Sequence, residues 1–221
     1  MHPPTRTVVG AMFEFQGVWD ALAPVMAREP HHRPPQHPVL YLKPANTWRR
    51  DGDPVELADE VPEVEVGATL GVAFSRTAAR ISAAQAPGYV AGYCIVNDVT
   101  VPHTSLLRPP MKHKCRDGFC PIGPLVRAGS LADPMALEIR TFVDGELRHR
   151  AHTSTLRRSV AQLIADVSEF MSLAPGDLLL IGVPHGVPRA RAGQRMAVEI
   201  DGLGRLENPL VAQGRQPGGT S

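Results

Sequence analysis

An apolar run at residues 89–96 restricts the fold of this chain more than any other stretch. It reads Tyr89-Val-Ala-Gly-Tyr-Cys-Ile-Val, which has the length and the aromatic and β-branched content of a buried strand. The run stops at Asn97-Asp98, so a carboxylate stands at the end of a rigid element. About sixteen residues later, Lys114 and Asp117 precede a proline-rich turn, on the irregular backbone where functional residues concentrate. These three ionisable side chains are the first candidates for a site.

Composition favours many turns and short strands. The chain has 22 prolines and 20 glycines among 221 residues, which exceeds ordinary usage and argues against a helix bundle. Residues 136–143 alternate between two faces and are followed by Asp144-Gly145, a preferred turn dipeptide, so residues 136–149 are predicted to form a hairpin. The pattern predicts a mainly β chain of the α+β class.

Three short helices complete this prediction. Residues 16–28 and the alanine-rich residues 77–87 are each consistent with one short helix. The strongest helical pattern spans residues 153–173, where apolar side chains recur every three or four positions and Thr153 or Ser154 is available as the N-cap. We interpret this apolar stripe as core packing.

Charge and hydropathy argue against several kinds of partner. The 23 lysines and arginines nearly balance the 22 aspartates and glutamates, which disfavours binding to nucleic acid or to an anionic membrane. No apolar run approaches the roughly 20 residues of a membrane span, and the N-terminus lacks the apolar region of a signal peptide. The prediction is a cytoplasmic protein whose three cysteines, an odd number, are reduced thiols.

Five groups of short motifs follow one another along nearly the whole chain. They are Tyr41-Leu-Lys-Pro44, Asn97-Asp98, Lys114-x-x-Asp117 before Pro121-Ile-Gly-Pro124, Leu173-x-Pro-Gly-Asp177, and Gly202-Leu-Gly204-x-Leu-x-Asn208-Pro209. Their content and order resemble the fumarylacetoacetate hydrolase (FAH) family. The resemblance implies an FAH-like mixed β-sheet roll with few helices. It would be a single domain over residues 1–212, followed by a disordered tail over residues 213–221, which is rich in glycine, proline and polar residues.

The resemblance also implies a reaction class. Within the family, the chain is most similar to the first half, or separate first subunit, of the isomerase/decarboxylases of 4-hydroxyphenylacetate (homoprotocatechuate) catabolism. These decarboxylate 5-oxopent-3-ene-1,2,5-tricarboxylate and isomerise 2-hydroxyhepta-2,4-diene-1,7-dioate, so a dicarboxylate or tricarboxylate substrate is implied. A Mg²⁺ or Mn²⁺ ion is implied too, because a hard cation chelated by the substrate stabilises the enolate on which both reactions depend. The assembly would be a homodimer, or a heterodimer with a second FAH-like subunit.

The metal ligands that the family uses are incomplete in this sequence. Asp98 is present, but the family's Glu-x-Glu pair is replaced by Gly67 and Thr69. Glu65 lies two positions before Gly67 and would reach the site only through a shift of strand register by two residues. The resemblance implies catalysis by Lys114 and Asp117, substrate binding by Lys43, Arg108 and Tyr93, and metal binding by Asp98 alone.

Three alternatives remain open. The loss of two metal ligands favours a non-catalytic FAH-like scaffold subunit that pairs with a metal-binding partner. An acylpyruvate-type C–C hydrolase is weakened by the absence of the family's N-terminal histidine and of the threonine hydroxyls expected around Val183. Lys114 would be a proton carrier or a carboxylate anchor, or instead one half of a structural ion pair with Asp98 or Asp117.

Overall fold

Short strands dominate the regular structure. The computed structural model describes residues 6–104 and 110–214. The helices are α1 (Gln16–Met26), α2 (Met111–Lys114) and α3 (Val160–Ser168). The strands are β1 (Val8–Met12), β2 (Val39–Leu42), β3 (Trp48–Arg49), β4 (Val55–Leu57), β5 (Val64–Glu65), β6 (Ala68–Phe74), β7 (Val90–Asn97), β8 (Cys120–Pro121), β9 (Val126–Arg127), β10 (Glu138–Val143), β11 (Glu146–His152), β12 (Leu178–Leu180), β13 (Arg189–Ala190), β14 (Arg195–Ile200) and β15 (Gly204–Ala212).

Two large mixed sheets share the main hydrophobic core. The six-stranded sheet has the order β2-β1-β12-β6-β7-β9, and the five-stranded sheet has the order β11-β10-β14-β15-β4. Neighbouring strands in both are antiparallel except for the β1–β12 and β4–β15 pairs. The main core joins Leu70 of the first sheet, Ile139 and Val198 of the second, and Leu163 of α3. This arrangement confirms the prediction of a mainly β, mixed-sheet fold with few helices.

Strand β7, which lies between β6 and the edge strand β9, is apolar on both faces, and this explains its uninterrupted hydrophobic sequence. Tyr93 and Ile95 point into the main core. Cys94 and Val96 point the other way, into a smaller apolar cluster on the opposite face of the sheet. Because side chains alternate along a strand, Asp98 leaves β7 on the face of the smaller cluster.

The predicted hairpin is present. Strands β10 and β11 pair in antiparallel register, with a bulge between Thr141 and Phe142. The turn residues Asp144 and Gly145 have φ angles of 53° and 79°, which is the left-handed pair that a two-residue hairpin turn of this type needs.

Residues 77–87 do not form the helix predicted for them. Helix α1 agrees with its prediction to within two residues, but the alanine-rich segment is irregular and leads into a 3₁₀ turn at Ala86–Tyr89. Ala78 exchanges two backbone hydrogen bonds with Leu173, at 2.8 and 2.9 Å. These long-range bonds use groups that a local helix would need, so helical propensity is overridden by tertiary contacts.

Helix α3 begins at Val160 and not at Thr153. The amide of Arg157 donates to the carbonyl of Glu14 at 2.7 Å, which holds the preceding chain in a non-helical path. Ser159 is the N-cap, and its Oγ accepts a hydrogen bond of 3.1 Å from the amide of Gln162.

No helix in the two described ranges is long and apolar enough to span a membrane. The division into a domain at residues 1–212 and a tail at residues 213–221 stays a prediction, because residues 215–221 are outside the described part of the chain.

The observed helix start leads to a stability prediction. We expect Ser159→Ala to lower the free energy of unfolding by about 1 kcal/mol, because the Gln162 amide loses its acceptor. Ser154→Ala is the matched control: Ser154 is exposed and its hydroxyl hydrogen-bonds to the half-buried His152 ring, so a change below about 0.5 kcal/mol is expected. Urea unfolding measures both, and a larger loss for Ser154→Ala would contradict the observed start.

Candidate functional site

The carboxylate of Asp98 is the centre of the candidate site. Asp98 follows β7 directly and is fully buried. Its Oδ1 atom lies 2.7 Å from Nζ of Lys43, and its Oδ2 atom lies 2.6 Å from Nζ of Lys114. The hydroxyl of Tyr41 also donates a hydrogen bond to Oδ2. Both carboxylate oxygens are therefore occupied by groups of this chain.

Lys43 is completely buried and is surrounded by oxygen atoms. Its Nζ donates to the backbone carbonyls of Val99 at 2.9 Å, Lys114 at 2.7 Å and Phe119 at 2.7 Å. An ammonium group has three protons, so the carbonyls use all of them and the contact with Asp98 Oδ1 is ionic. In this structure neither a free proton nor an exposed surface of Lys43 is left for a substrate carboxylate, and substrate binding by Lys43 stays a prediction.

Lys114 forms the outer side of the same network. It is the last residue of α2, and its Nζ donates to Oγ1 of Thr100 at 2.8 Å in addition to pairing with Asp98. The ammonium group also lies over the ring of Tyr41, 4.5 Å from the ring centroid. Its side chain keeps 9% exposure, whereas Lys43 and Asp98 have none.

Tyr41 reaches Asp98 because Gly10 leaves room for its ring. The two residues pair across β1 and β2. A Cβ atom at Gly10 would lie only 2.1 Å from Cζ of Tyr41. A side chain at position 10 would therefore displace the ring and its hydrogen bond to the carboxylate.

The electrostatics favour a stable ion cluster. Burial raises the pKa of Asp98, but the ammonium groups of Lys114 and Lys43 outweigh burial and lower it from 3.8 to about 2. Burial lowers the pKa of Lys114, and the charge of Asp98 opposes this shift. Burial, followed by the charge of Asp98, raises the pKa of Tyr41 well above its ordinary value. At neutral pH Asp98 is thus an anion held by two cations and a phenol.

A half-buried glutamate lies next to this cluster. Burial raises the pKa of Glu65, and the charge of Lys114 acts in the opposite direction. The charge of Arg189 lowers the pKa of Glu65 as well, so Glu65 lies between two cations at the edge of the cluster.

The strand register keeps Gly67 and Thr69 at the two positions where the family has glutamates, so neither position carries a carboxylate. The amide of Asp98 donates to the carbonyl of Gly67 at 2.8 Å. The amide of Glu65 donates to the carbonyl of Thr100, also at 2.8 Å. Residue 67 therefore lies opposite Asp98, without the shift that would bring in Glu65. A Cβ atom at Gly67 would lie 2.2 Å from the carbonyl oxygen of Asp98, so a glutamate there would require backbone movement.

These donors do not fit the divalent ion that the resemblance implies. Mg²⁺ prefers about six oxygen ligands in strict geometry. Across residues 6–104 and 110–214, no group of three or more histidine, cysteine, aspartate or glutamate side chains lies close enough to hold a metal ion. Asp98 is already bound on both oxygens, and Thr69 offers only a buried hydroxyl. No step of a reaction is therefore assigned to a metal held by this chain.

The other predicted site residues are not gathered around Asp98. Asp117 is exposed and accepts a hydrogen bond of 2.7 Å from Nδ2 of Asn46. Tyr93 packs into the main core, on the face of β7 opposite to Asp98. The structure therefore does not bring Tyr93 to the site, because the alternation of the strand points it away. Arg108 lies outside the described residues.

Sequence reasoning missed three contributors to the site. Tyr41 was part of a motif but had no role, and it lies 57 positions from Asp98. Thr100 follows Asp98 by two residues and links Lys114 to the backbone of Asp98. Gly10 contributes by lacking a side chain. No local pattern reveals such contacts, since they depend on which strands are neighbours.

The ion cluster predicts a pH-dependent stability. Asp98→Asn should lower the free energy of unfolding by about 3–5 kcal/mol near neutral pH, because it leaves two buried ammonium groups uncompensated. A carboxyl with a lowered pKa stabilises the fold above its unfolded pKa, and the stabilisation is lost as pH falls through the folded pKa. The difference in the free energy of unfolding between wild type and Asp98→Asn, called the gap below, should therefore decrease from about pH 4 toward pH 2.

Urea unfolding at a series of pH values measures this gap, and Asp117→Asn is the matched control because Asp117 is exposed and has no ammonium partner in the cluster. A gap that is small at neutral pH, or that stays constant down to acid pH, would contradict the arrangement.

Comparison with known proteins agrees with the motif order. A model of the fumarylacetoacetate (FAA) hydrolase C-terminal family matches residues 14–211. The 4-hydroxyphenylacetate degradation bifunctional isomerase/decarboxylase of Salmonella dublin is 38% identical over 207 residues, which are 94% of this chain and 47% of that protein. The homoprotocatechuate catabolism bifunctional isomerase/decarboxylase of Escherichia coli is 36% identical over 205 residues, which are 93% of this chain and 47% of that protein. The chain spans about half the length of these curated relatives.

Solved structures show the same fold. Fumarylpyruvate hydrolase from Pseudomonas aeruginosa, determined in complex with Mn²⁺ and pyruvate, has a TM-score of 0.81 and 30% identity, covering 95% of this chain and 91% of that one. The 5-carboxymethyl-2-hydroxymuconate delta-isomerase from Mycobacterium smegmatis has a TM-score of 0.80 and 28% identity, and the match covers 96% of this chain and 80% of that one. From the family match over residues 14–211 and these similarities, this chain belongs to the fumarylacetoacetate hydrolase family.

Proposed function

We propose that this chain is a subunit of an enzyme that decarboxylates 5-oxopent-3-ene-1,2,5-tricarboxylate and isomerises 2-hydroxyhepta-2,4-diene-1,7-dioate. In that enzyme it is the subunit that binds no metal. Its role is to fold, to pair with a second FAH-like subunit, and to stabilise that subunit. The partner carries the paired glutamates and the divalent ion on which enolate chemistry depends.

One observation carries this proposal. Both oxygens of Asp98 are bound by Lys43, Lys114 and Tyr41, so the one expected metal ligand that the chain retains is not free. The closed position at Gly67 supports the same conclusion, because a second carboxylate has no room there.

The matched relatives agree with a role as one half of an enzyme. Two curated isomerase/decarboxylases are matched over 47% of their own length, so the residues of this chain correspond to about one half of such an enzyme.

A second candidate is that this chain catalyses proton transfer itself. Lys114 favours it, because its side chain keeps 9% exposure and burial lowers its pKa toward the range of a proton carrier. Lys114 would need to leave its contacts with Asp98 and Thr100 to reach a substrate. Those two contacts make the scaffold role the better supported one.

An acylpyruvate-type hydrolase is less well supported. Glu14 is buried, and its Oε1 atom lies 2.9 Å from Nη1 of Arg158. Burial raises the pKa of Glu14, and Arg158 acts against this shift. The carboxylate is thus held in an ion pair, without the histidine that the family's hydrolases would place near it.

The proposal predicts that the purified chain alone binds no Mn²⁺ in a saturable way, measured by electron paramagnetic resonance. Turnover of the tricarboxylate, followed by its loss of ultraviolet absorbance, should be about a thousand-fold slower than in the assembled enzyme, since a Lewis-acid metal contributes several kcal/mol to such a step. Adding an FAH-family subunit that retains the glutamate pair should restore turnover.

Lys114→Ala separates the two candidates. In the assembled enzyme, a scaffold role predicts an unchanged kcat for this variant as long as the assembly forms, whereas a proton-carrier role predicts a loss. Turnover by the chain alone that Mn²⁺ stimulates, EDTA removes and Lys114→Ala abolishes would overturn the scaffold proposal.

A further inference from the structure

Lys43 is enclosed in a way that differs from an ordinary salt bridge. Four oxygens surround its Nζ at 2.7–2.9 Å: Oδ1 of Asp98 and the carbonyls of Val99, Lys114 and Phe119. We refer to these four atoms as the oxygen cage. A lysine paired with a carboxylate at the surface would give its other protons to water, whereas here three backbone carbonyls directed at one point accept all three.

The oxygen cage joins segments that are distant in sequence. Val99 follows β7, Lys114 ends α2, and Phe119 precedes β8. Lys43 itself follows β2, where its amide donates to the carbonyl of Val8 at 2.9 Å. The ammonium group therefore holds α2, and with it the side chain of Lys114, against the end of β7.

The cage has the composition of a site for a monovalent cation. Carbonyl oxygens directed at one point replace the hydration shell of such an ion, and a single carboxylate balances one positive charge. Ammonium and potassium ions are similar in size and suit the observed distances. Without a cation, three carbonyls and a carboxylate would face one another in a buried space at high cost.

We propose that the ammonium group of Lys43 is a tethered monovalent cation, which fills a cation site formed by Asp98, Val99, Lys114 and Phe119. Truncation of the side chain would leave that site able to take up a free ammonium or potassium ion. This inference concerns the chain by itself and does not depend on its pairing with a second subunit.

The test is an ion-selective rescue of Lys43→Ala. The variant should unfold about 10 °C below wild type in choline chloride, whose cation is too large for the cage. In ammonium or potassium chloride at the same ionic strength, the melting temperature of the variant should rise by about 5 °C or more. The rise should level off with increasing ion concentration, as expected when an ion binds only the folded state. Sodium should rescue less, because it is smaller than the cage.

Three matched proteins make the result specific. Wild type should show no difference among the salts. Lys43→Met should be destabilised without rescue, because its side chain extends to the edge of the cage and blocks it. Lys43→Arg keeps the charge but has a planar, larger head group, so it should not restore the stability of wild type.

Equal behaviour of Lys43→Ala in ammonium, potassium and choline chloride would overturn the proposal. Full stability of Lys43→Arg would also overturn it, because charge alone would then be sufficient. If Lys43→Ala does not fold in choline chloride, refolding from urea is compared among the salts. Recovery of folded protein in ammonium or potassium chloride but not in choline chloride supports the cage, and failure in every salt contradicts it.

Discussion

The burial of one carboxylate between two ammonium groups is the interaction on which the site depends. A lone aspartate at the buried end of β7 could not stay ionised away from water. Lys43 and Lys114 make this possible, and Tyr41 adds a hydrogen bond from a third segment. Such a cluster is weak as a source of net stability but strongly resists the loss of any one member. The cluster therefore determines that the segments carrying Lys43, Asp98 and Lys114 meet, and it contributes less to the overall stability of the fold.

Backbone contacts around this cluster decide what the site can hold. Gly10 makes room for the ring of Tyr41, and the carbonyl of Asp98 closes the space beside Gly67. The resemblance implies a divalent ion beside Asp98, and here side chains of the chain itself fill that place. The backbone beside Gly67 thus works against a metal there, in addition to the two missing carboxylates.

Much of the fold could be predicted from the sequence, because its signals are local. The apolar run before Asp98 and the Asp144-Gly145 turn both gave elements that are present. The helix predicted at residues 77–87 failed because Ala78 bonds to Leu173, a contact that no local pattern contains. The sequence indicates Asp98 and Lys114 as candidates and leaves open whether they form an ion pair or take part in catalysis. The enclosure of Lys43 was not foreseen, since it depends on three carbonyls that only the folded chain brings together.

We infer that Asp98 is held by this chain's own side chains and not by a metal. A crystal structure grown in MnCl₂, with anomalous data collected at the manganese edge, tests this directly. We expect no anomalous peak at Asp98, and we expect Nζ of Lys43 and of Lys114 within hydrogen-bonding distance of its two oxygens. A manganese peak coordinated by Asp98, with Lys114 displaced toward solvent, would contradict it.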